Sequence, residues 1–133
     1  MKRLLLDTHI WIWYLIGSDR LPVSIRELVD RSPESCWISP ISIWEVGKLV
    51  EKGRLSIETD FDPWVADALE MFPLREAALN FQVMRQSLQL MLKHQDPADR
   101  FLVATALVHE LTLVTVDQRL SGLSWLPSIS GQS

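Results

Sequence analysis

The sequence predicts an α/β domain organised around a mostly parallel sheet. Short apolar segments, which suit strands buried on both faces, alternate with longer segments that carry helix start and stop signals. The length of 133 residues suits a single domain with its own core, covering residues 1–133. Hydrophobic residues make up 47% of the chain and charged residues 23%, as in ordinary globular proteins.

The N-terminal part of the chain has the pattern of one strand followed by two helices. Residues 3–6 predict a short buried strand. Thr8 is a suitable N-cap for a helix that runs to Ile16, and Gly17 is its stop signal. Because this helix is apolar on all sides, we expect it to be deeply buried or to face a partner. A second helix is predicted over residues 23–31.

The middle of the chain contains a second strand, over residues 36–38, and two helices. The pair Ser39-Pro40 predicts a helix start, with the serine as N-cap and the proline at the first helical position, and this helix continues to residue 52. The pair Asp62-Pro63 predicts the start of a further helix over residues 64–70 by the same logic.

The C-terminal half predicts further strands and helices. Residues 72–74 suit a weak edge strand, where proline is tolerated, and residues 76–92 suit a helix with a break near Ser87. The pair Asp96-Pro97 predicts a helix that ends near residue 110. Residues 112–116 form the clearest strand pattern, residues 123–126 suit a last short strand, and residues 128–133 are expected to form a loose tail.

Composition excludes some classes of protein. The net charge of −4 argues against a broad basic surface for nucleic acid, although a nuclease with many carboxylates is compatible with it. Cys36 is the only cysteine, so no internal disulfide forms and a reducing compartment is indicated. The apolar runs near the N-terminus are too short for a signal peptide or a membrane span. We therefore expect a soluble, cytoplasmic protein.

Acidic residues stand where strands end and helices begin. A parallel sheet brings such positions together at one edge, where ligands bind. Two like charges about 4 Å apart repel by roughly 4 kcal/mol at a protein surface, so gathered carboxylates indicate a hard divalent cation, Mg²⁺ or Mn²⁺. The residues concerned are Asp7, Glu45, Asp96, Asp99 and Asp117.

Each of these acids also has an ordinary structural explanation. Asp7 and Asp117 follow strands, where aspartate serves as a turn or capping residue. Glu45 could form a surface pair with Lys48, three residues further along the helix. Asp96, which precedes a proline, is a plausible N-cap.

Asp99 is the hardest of the acids to explain by local structure. It lies on the side of its helix shared by Leu102, Val103 and Ala106, and a carboxylate over an apolar stripe needs a partner. Arg100 is one candidate partner and a metal ion is the other. Thr115 alternates to the same strand face as Asp117 and would place a hydroxyl beside that carboxylate.

Four segments, taken in order, resemble the PIN-domain family and most closely its VapC-like toxins. The segments are Leu4-Leu5-Leu6-Asp7-Thr8-His9-Ile10-Trp11, Ser39-Pro40-Ile41-Ser42-Ile43-Trp44-Glu45-Val46, Asp96-Pro97-Ala98-Asp99-Arg100-Phe101-Leu102-Val103-Ala104 and Leu113-Val114-Thr115-Val116-Asp117. Two positions depart from the family pattern: Ala98 stands where many members carry phenylalanine, and Thr105 where glutamine is frequent. Neither departure removes an acid.

The resemblance implies a PIN-like three-layer α/β/α sandwich with a central five-stranded sheet, and Mg²⁺- or Mn²⁺-dependent cleavage of RNA. It assigns the catalytic metal site to Asp7, Glu45, Asp99 and Asp117, with Asp96, Thr8 and Thr115 as accessory groups. It also implies a homodimer and a cognate antitoxin protein as partners. The cationic candidates for guiding RNA are Lys48, Lys52, Arg54, Lys93, Arg100 and Arg119, each of which could equally be a solvated surface charge.

Two other functions remain open at this stage. The same scaffold could serve as a protein-binding or regulatory module with little catalysis, as the apolar first helix and the six tryptophans suggest. A phosphate-handling enzyme with a nucleophilic aspartate is the other, although His9 occupies the position where phosphatases carry a second aspartate.

Overall fold

The sheet at the centre of the protein contains five parallel strands. In the computed structural model, which describes residues 2–93 and 96–131, the strands lie in the order β3-β2-β1-β4-β5. Their bounds are β1 (Leu4–Leu6), β2 (Cys36–Ile38), β3 (Arg75–Glu76), β4 (Thr112–Val114) and β5 (Ser128–Ile129). The predicted class, a mostly parallel five-stranded sheet, is confirmed.

Helices connect and cover these strands. Their bounds are α1 (Thr8–Ile16), α2 (Val23–Arg31), α3 (Pro40–Glu51), α4 (Phe61–Met71), α5 (Phe81–Ser87), α6 (Pro97–Val108) and α7 (Gln118–Ser121), and a single 3₁₀ turn covers Pro33–Ser35. Within residues 2–93 and 96–131, no helix has the length and apolar character needed to cross a bilayer.

The alternation of side chains along β1 divides the core into two clusters. Leu4 and Leu6 belong to one cluster, which includes Trp11 of α1 and residues of α2. Leu5 belongs to the other, which includes Leu102 and further residues of α6. Successive strand residues face opposite sides of a sheet, so the sheet lies between two helical layers. This arrangement is the predicted three-layer sandwich.

Helix α1 and Cys36 both contribute to the core. The apolar helix α1 is partly buried: Ile10, Trp11 and Ile12 are enclosed, residues 13–15 are half-buried, and Ile16 is exposed at its end. Cys36 is a free, fully buried cysteine that begins β2. Burial raises the pKa of its thiol to about 11, so the unreactive thiol form predominates.

Several element boundaries differ from the predictions. The N-cap of α1 is Asp7 and not Thr8, because the Asp7 carboxylate accepts the hydrogen bond from the Thr8 backbone. Helix α4 begins at Phe61, so Pro63 lies within its first turn, where its missing N–H has no intrahelical partner to lose. The helix expected over residues 76–92 is confined to α5, which Asn80 caps through its side chain.

The strands expected at the two edges of the sheet are also displaced. The third strand lies at Arg75–Glu76 and not at residues 72–74, and the last lies at Ser128–Ile129 and not at residues 123–126. Pairing fixes both: the edge strands bond to β2 and β4, respectively. The expected loose tail therefore begins with a paired strand, and its residues 132 and 133 lie outside the described part of the chain.

Candidate active site

The C-terminal ends of β1 and β4 bring the first and the last of the four acidic segments together, those of Asp7 and Asp117. The two strands are parallel neighbours, paired from Leu4 with Thr112 to Leu6 with Val114. The Asp7 backbone N–H then donates to the Val114 carbonyl at 3.0 Å, which places Asp7 beside the segment that follows β4. Parallel strands that end in register gather the residues following them at one edge, as the sequence predicted.

The five predicted acids line one pocket of about 290 Å³ at this edge of the sheet. They are Asp7, Glu45, Asp96, Asp99 and Asp117. Arg119, Arg20, Trp13 and His9 also contribute to its walls. The acids come from the ends of two strands and from helices α3 and α6. We call this space the acidic pocket.

Asp7 is held firmly on the floor of the acidic pocket. Its Oδ1 accepts the Thr8 backbone N–H at 2.7 Å, and its Oδ2 accepts the Thr115 hydroxyl at 2.6 Å. Burial raises the pKa of the Asp7 carboxyl, while these two hydrogen bonds act in the opposite direction and the Asp117 charge adds to the rise. The site therefore holds a carboxylate that is costly to ionise without a nearby cation.

Glu45 is linked by Thr8 to the part of the acidic pocket that Asp7 occupies. The Thr8 hydroxyl lies 2.5 Å from Glu45 Oε1 and 2.8 Å from Ser42 Oγ. Because a hydroxyl has one proton, Thr8 donates to the ionised Glu45 and accepts from Ser42. Burial raises the pKa of Glu45 to about 7, and the charges of the neighbouring aspartates add to that rise. The surface pair with Lys48 does not form, since Lys48 pairs with Glu51 at 3.2 Å.

Asp99 and Asp117 face the guanidinium of Arg119. Arg119 Nη2 lies 2.7 Å from Asp117 Oδ2 and 3.5 Å from Asp99 Oδ2, and its Nε donates to Asp117 Oδ1 at 3.1 Å. The nearby carboxylates raise the pKa of Arg119, so its charge is permanent. Arg119 is therefore a cation beside Asp99, whereas the adjacent Arg100 donates to main-chain carbonyls.

Arg100 contacts main-chain carbonyls at the end of α5. Its Nη1 donates to the Ser87 carbonyl at 2.8 Å and to the Leu90 carbonyl at 3.3 Å. These bonds satisfy carbonyls that a helix end leaves without partners. They explain Arg100 by local structure, and its predicted contact with RNA stays a prediction.

The remaining predicted groups combine capping with a place at the site. Asp96 Oδ1 accepts the Ala98 N–H at 2.9 Å, which confirms it as the N-cap of α6. Asp117 caps the short helix α7, and its own N–H donates to the Thr115 hydroxyl at 3.0 Å. Thr115 thus links two acids, since its hydroxyl donates to Asp7 and accepts from Asp117.

The donor set fits a hard divalent cation in its chemistry. All candidate ligands are carboxylate oxygens, and burial raises the pKa values of Asp7 and Glu45, so a nearby divalent cation would stabilise their ionised forms. Among residues 2–93 and 96–131, no group of three or more His, Cys, Asp or Glu side chains is arranged so that it could bind a metal ion. Arg119 contributes positive charge beside Asp99 and Asp117, and it would compete with a divalent cation for these two carboxylates.

Two contributors to the site were missed in the sequence. Ser42 hydrogen-bonds Thr8, and its spacing of three residues from Glu45 on a helix could have placed both on one side. Arg119 was expected only to guide RNA. The two-residue spacing of Asp117 and Arg119 does not predict the salt bridge between Arg119 and Asp99. That salt bridge depends on the direction in which the chain turns after β4.

These observations define the class of the protein. It has a parallel α/β fold with a carboxylate-lined pocket at the carboxyl ends of its strands. The PIN domain family model matches residues 4–126, and the chain belongs to the PIN-domain family.

Relatives cover nearly the full length of the chain. Ribonuclease VapC22 of Mycobacterium tuberculosis is 29% identical over 121 residues, which cover 90% of this chain and 91% of that protein. DNA-bound VapBC from Salmonella typhimurium is similar with a TM-score of 0.73 and 18% identity, covering 99% of this chain and all of the other. A toxin–antitoxin complex from Klebsiella pneumoniae gives a TM-score of 0.68 at 20% identity, covering 98% of each chain. These structural similarities concern the fold.

Proposed function

We propose that this protein is a metal-dependent endoribonuclease that acts as the toxin of a toxin–antitoxin pair. The observation that carries the proposal is the convergence of Asp7, Glu45, Asp99 and Asp117 on one pocket. Membership of the PIN-domain family and similarity to a protein named a ribonuclease support it. The reaction would be hydrolysis of RNA phosphodiester bonds.

The four acids would hold Mg²⁺ or Mn²⁺. The chemistry that a bound divalent cation supplies is polarisation of water and compensation of phosphate charge. Thr115 and Thr8 would orient the carboxylates of Asp7 and Glu45 through the hydrogen bonds described above.

The remaining charged groups of the pocket act on its rim. Asp96 caps α6 and adds negative potential at the mouth. Arg119 offsets part of the acidic charge and would compete with a divalent cation for Asp99 and Asp117.

The partners would be RNA, an antitoxin protein and a second copy of the chain. Solved complexes with this fold include toxin–antitoxin pairs, which supports a cognate antitoxin for this protein. The homodimer follows from the family resemblance alone, and the cytoplasmic location follows from the single cysteine and the short apolar runs near the N-terminus. Co-expression of a neighbouring antitoxin gene should restore growth that expression of this protein stops.

The test is cleavage of a labelled single-stranded RNA with Mg²⁺ or Mn²⁺, with and without EDTA. We expect cleavage that EDTA abolishes and that Asp7→Asn and Asp99→Asn each reduce to background. Asp67→Asn, which changes an exposed aspartate of α4, is the matched control and should cleave normally. Wild-type rates from both active-site variants, with circular dichroism showing folded protein, would exclude the proposed site.

A further inference from the structure

A larger groove adjoins the acidic pocket along α3. Its volume is about 710 Å³, and it shares His9, Glu45 and Asp96 with the acidic pocket. An extended ligand that leaves the acidic pocket past these shared residues would enter the groove. We call it the basic groove, because its other polar walls are cationic.

Three cations give the basic groove its charge. Lys48, Lys52 and Arg54 come from the last turn of α3 and the residues that follow it. Lys52 and Arg54 are exposed and form no ion pair with any other described residue. Because Lys48 is partly neutralised by Glu51, Lys52 and Arg54 supply most of the local attraction for a polyanion in this chain, whose net charge is −4.

Trp44 lies in the same wall with an indole that is 54% exposed. The Lys48 ammonium lies 5.4 Å from the centroid of its ring, one helical turn away. Trp44 also borders an apolar pocket of about 450 Å³ that includes Phe101 and Leu79. A large exposed aromatic surface between cations suits a planar ring joined to a phosphate.

We propose that the basic groove binds single-stranded RNA next to the cleaved bond, with one base stacked on Trp44 and its phosphates at Lys48, Lys52 and Arg54. This inference rests on the proposed ribonuclease function. Aromatic stacking and a cationic track are the usual means of holding single strands, because every base has a face to stack and every linkage has a charge. A duplex, whose bases are already stacked, lacks the free face that Trp44 would take.

The first test measures the affinity for a labelled single-stranded oligoribonucleotide by fluorescence anisotropy in EDTA, which prevents cleavage. Trp44→Leu should weaken binding by ~5- to 150-fold, since stacking contributes about 1–3 kcal/mol per base. Trp44→Phe should retain most of the affinity. Trp125→Leu, at an indole that is 42% exposed and borders none of the pockets described above, should bind as the wild type does.

The second test uses salt. The Lys52→Ala/Arg54→Ala double variant should flatten the plot of log affinity against log salt concentration by about 1.4, or about 0.7 for each lost phosphate contact with a single strand. The single variant Arg85→Ala, an exposed cation on α5, should leave the slope unchanged.

The outcomes separate this inference from the proposed function. If the wild type cleaves RNA but Trp44→Leu and the double variant bind it normally, the basic groove is not the RNA track and the ribonuclease function stands. If Trp44→Leu loses only the binding of an antitoxin protein, the groove serves that partner and the inference is wrong. If the wild type neither binds nor cleaves RNA, both proposals fail.

Discussion

The Thr115 hydroxyl donates a 2.6 Å hydrogen bond to Oδ2 of Asp7, which stands 108 positions earlier in the chain. Both residues are buried, and the bond opposes the rise that burial causes in the pKa of Asp7. The same hydroxyl accepts the Asp117 N–H at 3.0 Å. Thr115 therefore positions two of the proposed metal ligands at once.

Thr115→Val should weaken both stability and cleavage. Valine keeps the shape but leaves a buried carboxylate oxygen without its donor, which should cost ~1–3 kcal/mol of unfolding free energy in urea. The pKa of Asp7 should rise further, and RNA cleavage should fall by about 10- to 100-fold, as for other groups that orient metal ligands. Thr115→Ser restores the donor and should recover most of both. Equal behaviour of the valine and serine variants would contradict the positioning role.

Removing Arg119 should tighten divalent metal binding. Its guanidinium contacts Asp117 and Asp99, so a cation that binds these carboxylates must displace it. Arg119→Gln removes that competition, and because the Arg119 ion pairs are exposed to solvent, the affinity for Mn²⁺ should rise only a few fold. Isothermal titration calorimetry with Mn²⁺ measures the change.

The matched control for Arg119 is Arg20→Gln. Arg20 borders the same acidic pocket, but its guanidinium lies over the Trp13 ring, 5.1 Å from the centroid. Arg20→Gln removes the same positive charge as Arg119→Gln, but it breaks no ion pair with Asp99 or Asp117. Equal Mn²⁺ affinities in the two variants would show that only long-range charge matters, and would remove Arg119 from the site.

Local signals explain why much of the fold was predictable. The pairs Ser39-Pro40 and Asp96-Pro97 carry both a capping side chain and a proline suited to the first helical position, and both helices begin where expected. The edge strands are different. Arg75–Glu76 is exposed and only two residues long, so it has no apolar alternation and exists only because β2 offers a partner.

The candidate site, like the fold, could be predicted only in part. The gathering of Asp7 and Asp117 follows from strand order in a parallel sheet, which the alternation of elements already indicates. The individual bonds do not follow from it. Thr8 was expected to cap α1 with its hydroxyl, but that hydroxyl contacts Glu45, 37 residues later. Side-chain direction across elements decides such contacts, and spacing along the chain does not encode it.

The metal-free protein should lose stability as pH rises through neutrality. Glu45 has its pKa raised from the ordinary 4.5 to about 7, because burial favours the neutral form. Its contribution is fully present below pH 4.5 and is lost as pH rises through about 7. Glu45→Gln removes this titration, so in EDTA its Tm should exceed that of the wild type by about 4 °C near pH 8, if the partly exposed group is worth about 1 kcal/mol.

The control for this effect is Glu70→Gln, an exposed glutamate of α4. Its difference in Tm from the wild type should be the same near pH 5 and near pH 8. Mg²⁺ should reduce the difference in Tm between Glu45→Gln and the wild type near pH 8, because a bound cation stabilises the ionised carboxylate of Glu45. A difference for Glu45→Gln that does not change with pH would contradict the raised pKa.

Arg100→Met separates a structural role from an RNA-binding role. The variant keeps an apolar side chain of similar reach but loses the donors to the Ser87 and Leu90 carbonyls. Unfolding free energy should fall by ~1–3 kcal/mol, because a hydrogen bond from a charged group to the end of α5 is lost. RNA affinity in EDTA should stay at the wild-type value, since the guanidinium is engaged within the protein. A weaker RNA complex with unchanged stability would instead confirm the sequence-based prediction that Arg100 guides the RNA backbone.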